Sequence, residues 1–290
     1  MPLKKGFTLV ELVVSMCLLS VIGSAVYRVL NSQRRAYRDL VARSEMRQDM
    51  RIMAAVLRQE LEQLDATDPG GGDVLSINSS SITFRSLRNT YFLCRPPEPG
   101  LRRVSVATHD WFGISPIDVA QQTFLVLADG DSAGHDSWLH AGRANIEGGP
   151  GCPSGGPSLT LELSDLRSAE LLGVRAGAPL QGYSVERLAS YRDAHGDWWL
   201  GLQDAQDPAG RTWSEIQPLA GPLAPGGIRF SYFNGTGGVT SRTDDVARIQ
   251  ISIRGRTQDL LVYSSQGSPQ YATASLALQV ALRNNRRAVK

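Results

Sequence analysis

Hydrophobic and polar positions divide this chain into two regimes. From Leu9 to Val26 the residues are almost all apolar, interrupted by one carboxylate, Glu11. From Arg28 to Asp65 there is no Gly or Pro, and Ala, Leu, Arg, Glu, Met and Gln predominate, all strong helix formers. Within that stretch Met46, Met50, Met53, Leu57, Leu61 and Leu64 recur at three- and four-residue spacing, which lines one face of a helix. Arg47, Asp49, Arg51, Arg58, Glu60 and Glu62 occupy the other faces. The pattern predicts one continuous helix, membrane-spanning over 7–29 and amphipathic over 30–66, with its stripe packed on a globular body. Pro69-Gly70-Gly71-Gly72 terminates it.

Beyond the glycines the apolar period becomes two. Ile82-Thr83-Phe84, following the polar Asn78–Ser81 cluster, reads as one arm of a hairpin. Tyr91–Cys94, Arg103–Thr108, Thr123–Ala128 and the alternating Leu159–Leu163 read as strands. Tyr183–Tyr191 and Trp198–Leu202 flank Asp193-Ala194-His195-Gly196-Asp197 as a second hairpin. Gly227–Phe233, Val246–Arg254 and Ala274–Leu282 complete the set. Gly148–Pro157 reads as a loop or an internal seam, and Leu219–Gly227 as a Pro/Gly connector. The expected class is α+β, a long N-terminal helix packed on a β-rich, mainly antiparallel body spanning 67–290.

Glu11 is the odd residue. A carboxylate in a membrane helix costs on the order of 2.5–3.5 kcal/mol at the bilayer centre, so it calls for a functional partner. No cation lies inside the apolar run. The nearest candidate is the α-amino group that cutting after Gly6 creates, on Phe7 of this chain or of a neighbour.

Basic Lys4-Lys5 followed by Gly6-Phe7-Thr8-Leu9-Val10-Glu11 and an apolar run resembles the class III signal of type IV prepilins and type II secretion pseudopilins. The resemblance implies a leader of residues 1–6, a cut between Gly6 and Phe7 by prepilin peptidase, and N-methylation of Phe7. It implies that Glu11 neutralises a neighbour's N-terminus during filament assembly. The closing strands, ending Val280-Ala281-Leu282-Arg283-Asn284, are similar to those of the larger minor pilins of the PilW kind and the J-type minor pseudopilin. Implied partners are other minor pilins or pseudopilins, the major pilin, the peptidase and the inner membrane. The implied function is initiation or tip assembly of a pilus or pseudopilus, with a pilin-like fold and a periplasmic body. A second reading from the same stalk is a displayed adhesin or a ligand- or DNA-binding module. Positive charge counted naively disagrees on orientation, because Arg28, Arg34, Arg35 and Arg38 follow the span and only Lys4 and Lys5 precede it. The periplasmic placement therefore rests on the resemblance.

Composition refines this only slightly. With 29 Gly and 15 Pro among 290 residues, a turn-rich β body is favoured. A net charge of +2 argues against a nucleic-acid binder by bulk electrostatics. Cys17 lies in the apolar run; Cys94 and Cys152 can bridge if the body is periplasmic, and the sequence leaves that pairing open. Asp129, Asp131 and Asp136 alternate around Gly134 like a calcium loop, but Ala133 stands at its third ligand position and His140 at its twelfth; a solvated acidic turn is the plainer account. His135 and His140, five apart, do not share a helix face. Trp198 and Trp199 are candidates for packing or for a contact surface. No nucleophile elbow or phosphate-cradling loop is present, so neither an enzymatic activity nor a cofactor is expected.

Overall fold

The computed structural model describes residues 9–66, 72–128, 137–142, 144–207, 210–261 and 268–282. One helix, α1 (Leu9–Glu62), carries both predicted halves without interruption. Its first stretch, from Leu9 to Leu30, has every residue exposed. Farther along, Met50, Met53, Leu57, Leu61 and Leu64 are between 0% and 5% exposed, whereas Ile52 on another face is 54% exposed. Three- and four-residue spacing thus selects the side of the helix that packs on the sheet.

The chain divides into two compact units, one of residues 1–48 with 257–272 and one of 49–256 with 273–290. In the first, residues 35–45 of α1 and Asp259-Leu260-Leu261 line a cleft, and Leu261 pairs with Gln270 in an antiparallel bridge.

The second unit is a twelve-stranded antiparallel sheet with the last turns of α1 packed on it. Its strands are β1 (Val74–Ile77), β2 (Ser81–Arg95), β3 (Arg103–Gly113), β4 (Thr123–Ala128), β5 (Ser137–Ala141) and β6 (Ala144–Gly148), then β7 (Ser158–Leu163), β8 (Pro179–Arg192), β9 (Trp198–Asp204), β10 (Gln217–Phe233), β11 (Arg248–Arg256) and β12 (Thr273–Ala281). The order is β12-β11-β10-β9-β8-β2-β3-β7-β6, with β1 beside β2 and the β4–β5 hairpin beside β8. The architecture is the α+β one anticipated: a long helix on a large antiparallel body.

β2 and β8 are the axis. They pair over nearly their whole length, from Ser81↔Ala189 to Phe92↔Pro179. The sheet branches around them, because β9 covers the second half of β8 while β4 covers its first half. One apolar core forms at the β4 end, from Tyr91, Leu93, Val104, Val106, Phe124, Val126, Leu161, Leu163 and Leu180. At the other end Ile228, Phe230, Ile249, Ile251, Ile253 and Val280 are at most 3% exposed, alternating with polar neighbours as a half-buried strand requires.

The sequence reading has no strand at β5 or β6, and two further elements depart from it. Tyr91–Cys94 is the end of β2, not a separate strand; the polar stretch Arg85–Thr90 continues the ladder and absorbs a register shift between Leu87 and Asn89. Leu219–Gly227 is not a connector but the middle of β10. Pro218, Pro222 and Pro225 cannot donate to a ladder, so β10 shifts register at Pro218/Ala220, Ala220/Leu223 and Leu223/Ile228 as it passes from β9 to β11. Gly221 lies against the Trp199 ring, where an added Cβ would stand 2.6 Å from a ring carbon. A Pro/Gly-rich sequence here makes a bulged strand, since tertiary pairing outweighs local turn preference.

The Asn78–Ser81 turn joins β1 to β2 as expected. Tyr232 on β10 holds it, its hydroxyl lying 2.9 Å from the Asn78 carbonyl and 3.1 Å from that of Ser81. The Gly148–Pro157 stretch joins β6 to β7, which are adjacent strands of the same unit.

Candidate functional site

The membrane-end half of α1 is the first candidate. An 18-residue window in it has a mean hydropathy of 2.3, long and apolar enough to cross a membrane. From Leu9 to Leu30 a helix rises about 33 Å, matching a hydrocarbon core of about 30 Å. Its polar side chains are few. Ser15 donates its hydroxyl to the Glu11 carbonyl at 2.7 Å, and Ser20 and Ser24 donate to the carbonyls of Cys17 and Val21 at 2.8 Å. Hydroxyls bonded to their own helix add little polarity to lipid. Glu11 is exposed in the first described turn of α1. Its carboxylate is the one formal charge between Leu9 and Tyr27. Gly6 and Phe7 lie outside the described residues.

Comparison with known families adds one finding at this end. Residues 1–27 match the prokaryotic N-terminal methylation motif. The chain is type IV prepilin-like. Proteins that carry this motif are structural subunits made with a leader that prepilin peptidase removes, methylated on the residue so exposed, and held in the inner membrane before assembly. No curated protein and no solved structure matches the chain.

The prepilin-like chain carries its second notable constellation in the body. At the bulge of β2, Arg88 turns toward Glu186 of β8 and makes an ion pair with its Oε1; Asp204 of β9 lies 3.5 Å from the same Arg88 nitrogen. Glu186 is 1% exposed. Burial pushes its carboxyl up from 4.5 to about 7, with Arg88 opposing and Glu60 and Asp204 adding to the rise. Desolvation and two neighbouring acids outweigh one cation. Next along β2, Asn89 is buried and donates its amide to the carbonyl of Ser115 and to Gln122 Oε1, both at 3.1 Å. Residues from distant parts of the sequence thus make a polar seam beside the β2–β8 axis, a feature with no local sequence signal.

The remaining sequence candidates are placed as follows. Cys94, at the end of β2, and Cys152, in the β6–β7 loop, form a disulfide with Cα atoms 5.5 Å apart. The loop is shaped for it: Gly151, Gly155 and Gly156 have φ of 83°, 88° and 95°, and Arg95 donates to the Gly151 carbonyl at 3.0 Å. Asp129, Asp131 and Asp136 lie outside the described residues, as does His135. His140 is on β5, and burial with the nearby charge of Arg85 lowers its pKa. Trp198 and Trp199 are committed to their own hairpin. Arg192 lies 5.6 Å from the Trp198 ring, and Trp199 donates to Asp193 at 3.0 Å. That carboxylate also accepts from the backbone of His195 and Asp197, closing the turn. These bonds hold the Asp193 carboxyl below the usual range, the Asp197 amide first among them.

Proposed function

We propose that this chain is a large minor pilin or minor pseudopilin, cut between Gly6 and Phe7, methylated on Phe7, and used in the initiation or tip complex of a type IV pilus or type II secretion pseudopilus. The observation that carries the reading is the methylation-motif match over residues 1–27 on a helix whose apolar half has no cover from the rest of the described chain. The physical step is charge neutralisation. As α1 leaves the membrane and enters a bundle of like helices, Glu11 meets the Phe7 amine of a neighbour, and two charges that lipid cannot solvate pair with each other. Other minor pilins or pseudopilins and the major pilin are the partners this requires. The size of the body supports a low-copy place, because a twelve-stranded sheet is awkward to repeat along a filament.

Mass spectrometry of the mature chain tests the cut: the expected first residue is a methylated Phe7. Gly6→Leu should leave an uncut precursor; continued shortening by the leader would refute the assigned site. Glu11→Ala should leave cleavage intact and abolish most incorporation into filaments, and normal incorporation would sink the charge-pair step.

A further inference from the structure

β12 closes one side of the sheet, and its outer edge pairs with no strand among the described residues. Exposed edges are ordinarily blunted by shortness, charge or proline. The other edges here follow that rule: β6 and β5 have 5 residues each, β1 has 4, and β6 carries Glu147 in an ion pair with Arg103. β12 has 9 residues, Thr-Ala-Ser-Leu-Ala-Leu-Gln-Val-Ala, with neither a charge nor a proline. One face is apolar and turned inward, Leu278 and Val280 being 7% and 0% exposed. The opposite face carries the small or neutral Thr273, Ser275, Ala277, Gln279 and Ala281.

The neighbouring strands supply the charge. On that opposite face Arg254 of β11 stands across from Ser275, Arg248 across from Ala281, and Arg229 of β10 across from Ser252. Arg248 lies over Phe233, 4.7 Å from its ring centre, with its Nε buried and unbonded. Arg256 is taken by Asp197, but Arg229, Arg248 and Arg254 have no carboxylate among the described residues. An added strand would lie about 9.6 Å from β11, two strand spacings away. Arg254 passing over Ser275 can meet an acidic side chain at that distance, and Arg248 can do the same over Ala281 by turning away from the Phe233 ring.

We propose that β12 is a docking edge for an extended segment of another polypeptide, added as a further strand. Its sequence alternates, with apolar residues over Leu276, Leu278 and Val280 and acidic residues opposite Ser275 and Ala281. Main-chain bonds supply affinity and the side-chain alternation supplies selectivity. A second copy of this chain fits less well, because β12 has no carboxylate to offer Arg248 and Arg254. The proposal does not depend on the filament reading, and its test uses no filaments.

The probe is a labelled acetyl-Glu-Val-Thr-Val-Thr-Val-Glu-amide peptide, titrated onto the full chain in neutral detergent micelles and followed by anisotropy. Saturable binding is expected at low salt, about tenfold weaker for the peptide with Lys in place of both Glu. Arg254→Glu should abolish most of that preference, and Arg254→Glu combined with Arg248→Glu should reverse it. Hydrogen exchange should slow at 273–281 when the peptide is bound. Absent or charge-indifferent binding, or protection elsewhere, would overturn the proposal. So would an Ala277→Cys chain, made in a Cys17→Ser background, that oxidises to a dimer refusing the peptide, since that assigns the edge to a second copy.

Discussion

Glu186 is an acid kept in a place that disfavours its charge, and its titration has a definite sign. Unfolded, it titrates near 4.5; in the folded body burial and the nearby Glu60 and Asp204 move it to about 7. Between those values the folded chain holds a proton that the unfolded chain has released. Its contribution is therefore fullest below about pH 4.5, falls as pH rises toward 7, and stays low above, a change of about 3 kcal/mol. Glu186→Gln should flatten this part of the stability profile, read as the difference in urea midpoints between variant and parent across pH. Arg88→Ala should act oppositely. Above about pH 8 it strands a buried carboxylate and costs ~3–5 kcal/mol, with a smaller loss near pH ~5 where Glu186 takes up a proton. An equal loss at both pH values would show that Arg88 matters for packing rather than for charge. This pair joins residues 98 apart in sequence, so no window of the sequence could reveal it. Glu11, by contrast, stands out at once, since a lone acid among apolar neighbours is visible without knowing what surrounds it.

The helix shows which features of an element are local. Its length and stripe follow from propensity and spacing, and the stripe can be tested residue by residue. Leu57→Ala and Leu61→Ala should each cost ~2–5 kcal/mol, because both side chains are at most 1% exposed; Ile52→Ala, at 54% exposure, should change little. Chemical denaturation monitored by Trp fluorescence separates these outcomes. The Cys94–Cys152 bridge is an element-scale restraint of another kind, tying the β6–β7 loop to the end of β2 across a separation of 58 residues. Cys152→Ser should lower stability by ~4 kcal/mol in the chain-entropy treatment, and the reduced parent should show a comparable loss. β10 shows the limit of local reading. Its prolines and glycines signal a connector, yet β9 on one side and β11 on the other recruit it as a bulged strand.

For the whole molecule, the exposed apolar half of α1 determines behaviour outside any filament. About twenty mostly apolar residues with no cover among the described residues should hold the chain in the membrane through alkaline carbonate extraction, and detergent should be required to release it. Release by carbonate alone would contradict the membrane-spanning reading. The sequence by itself determined the helix, its two halves, the lone acid, the methylation motif, the antiparallel β body and most of its strands, because each depends on residues within a turn or two of one another. Only the tertiary structure decided the strand order, the branching around β2 and β8, the Arg88–Glu186 pair, the cysteine pairing and the exposed edge of β12. Those depend on which distant segments meet, and hydrophobic alternation is nearly the same in every strand, so it cannot say which strand pairs with which.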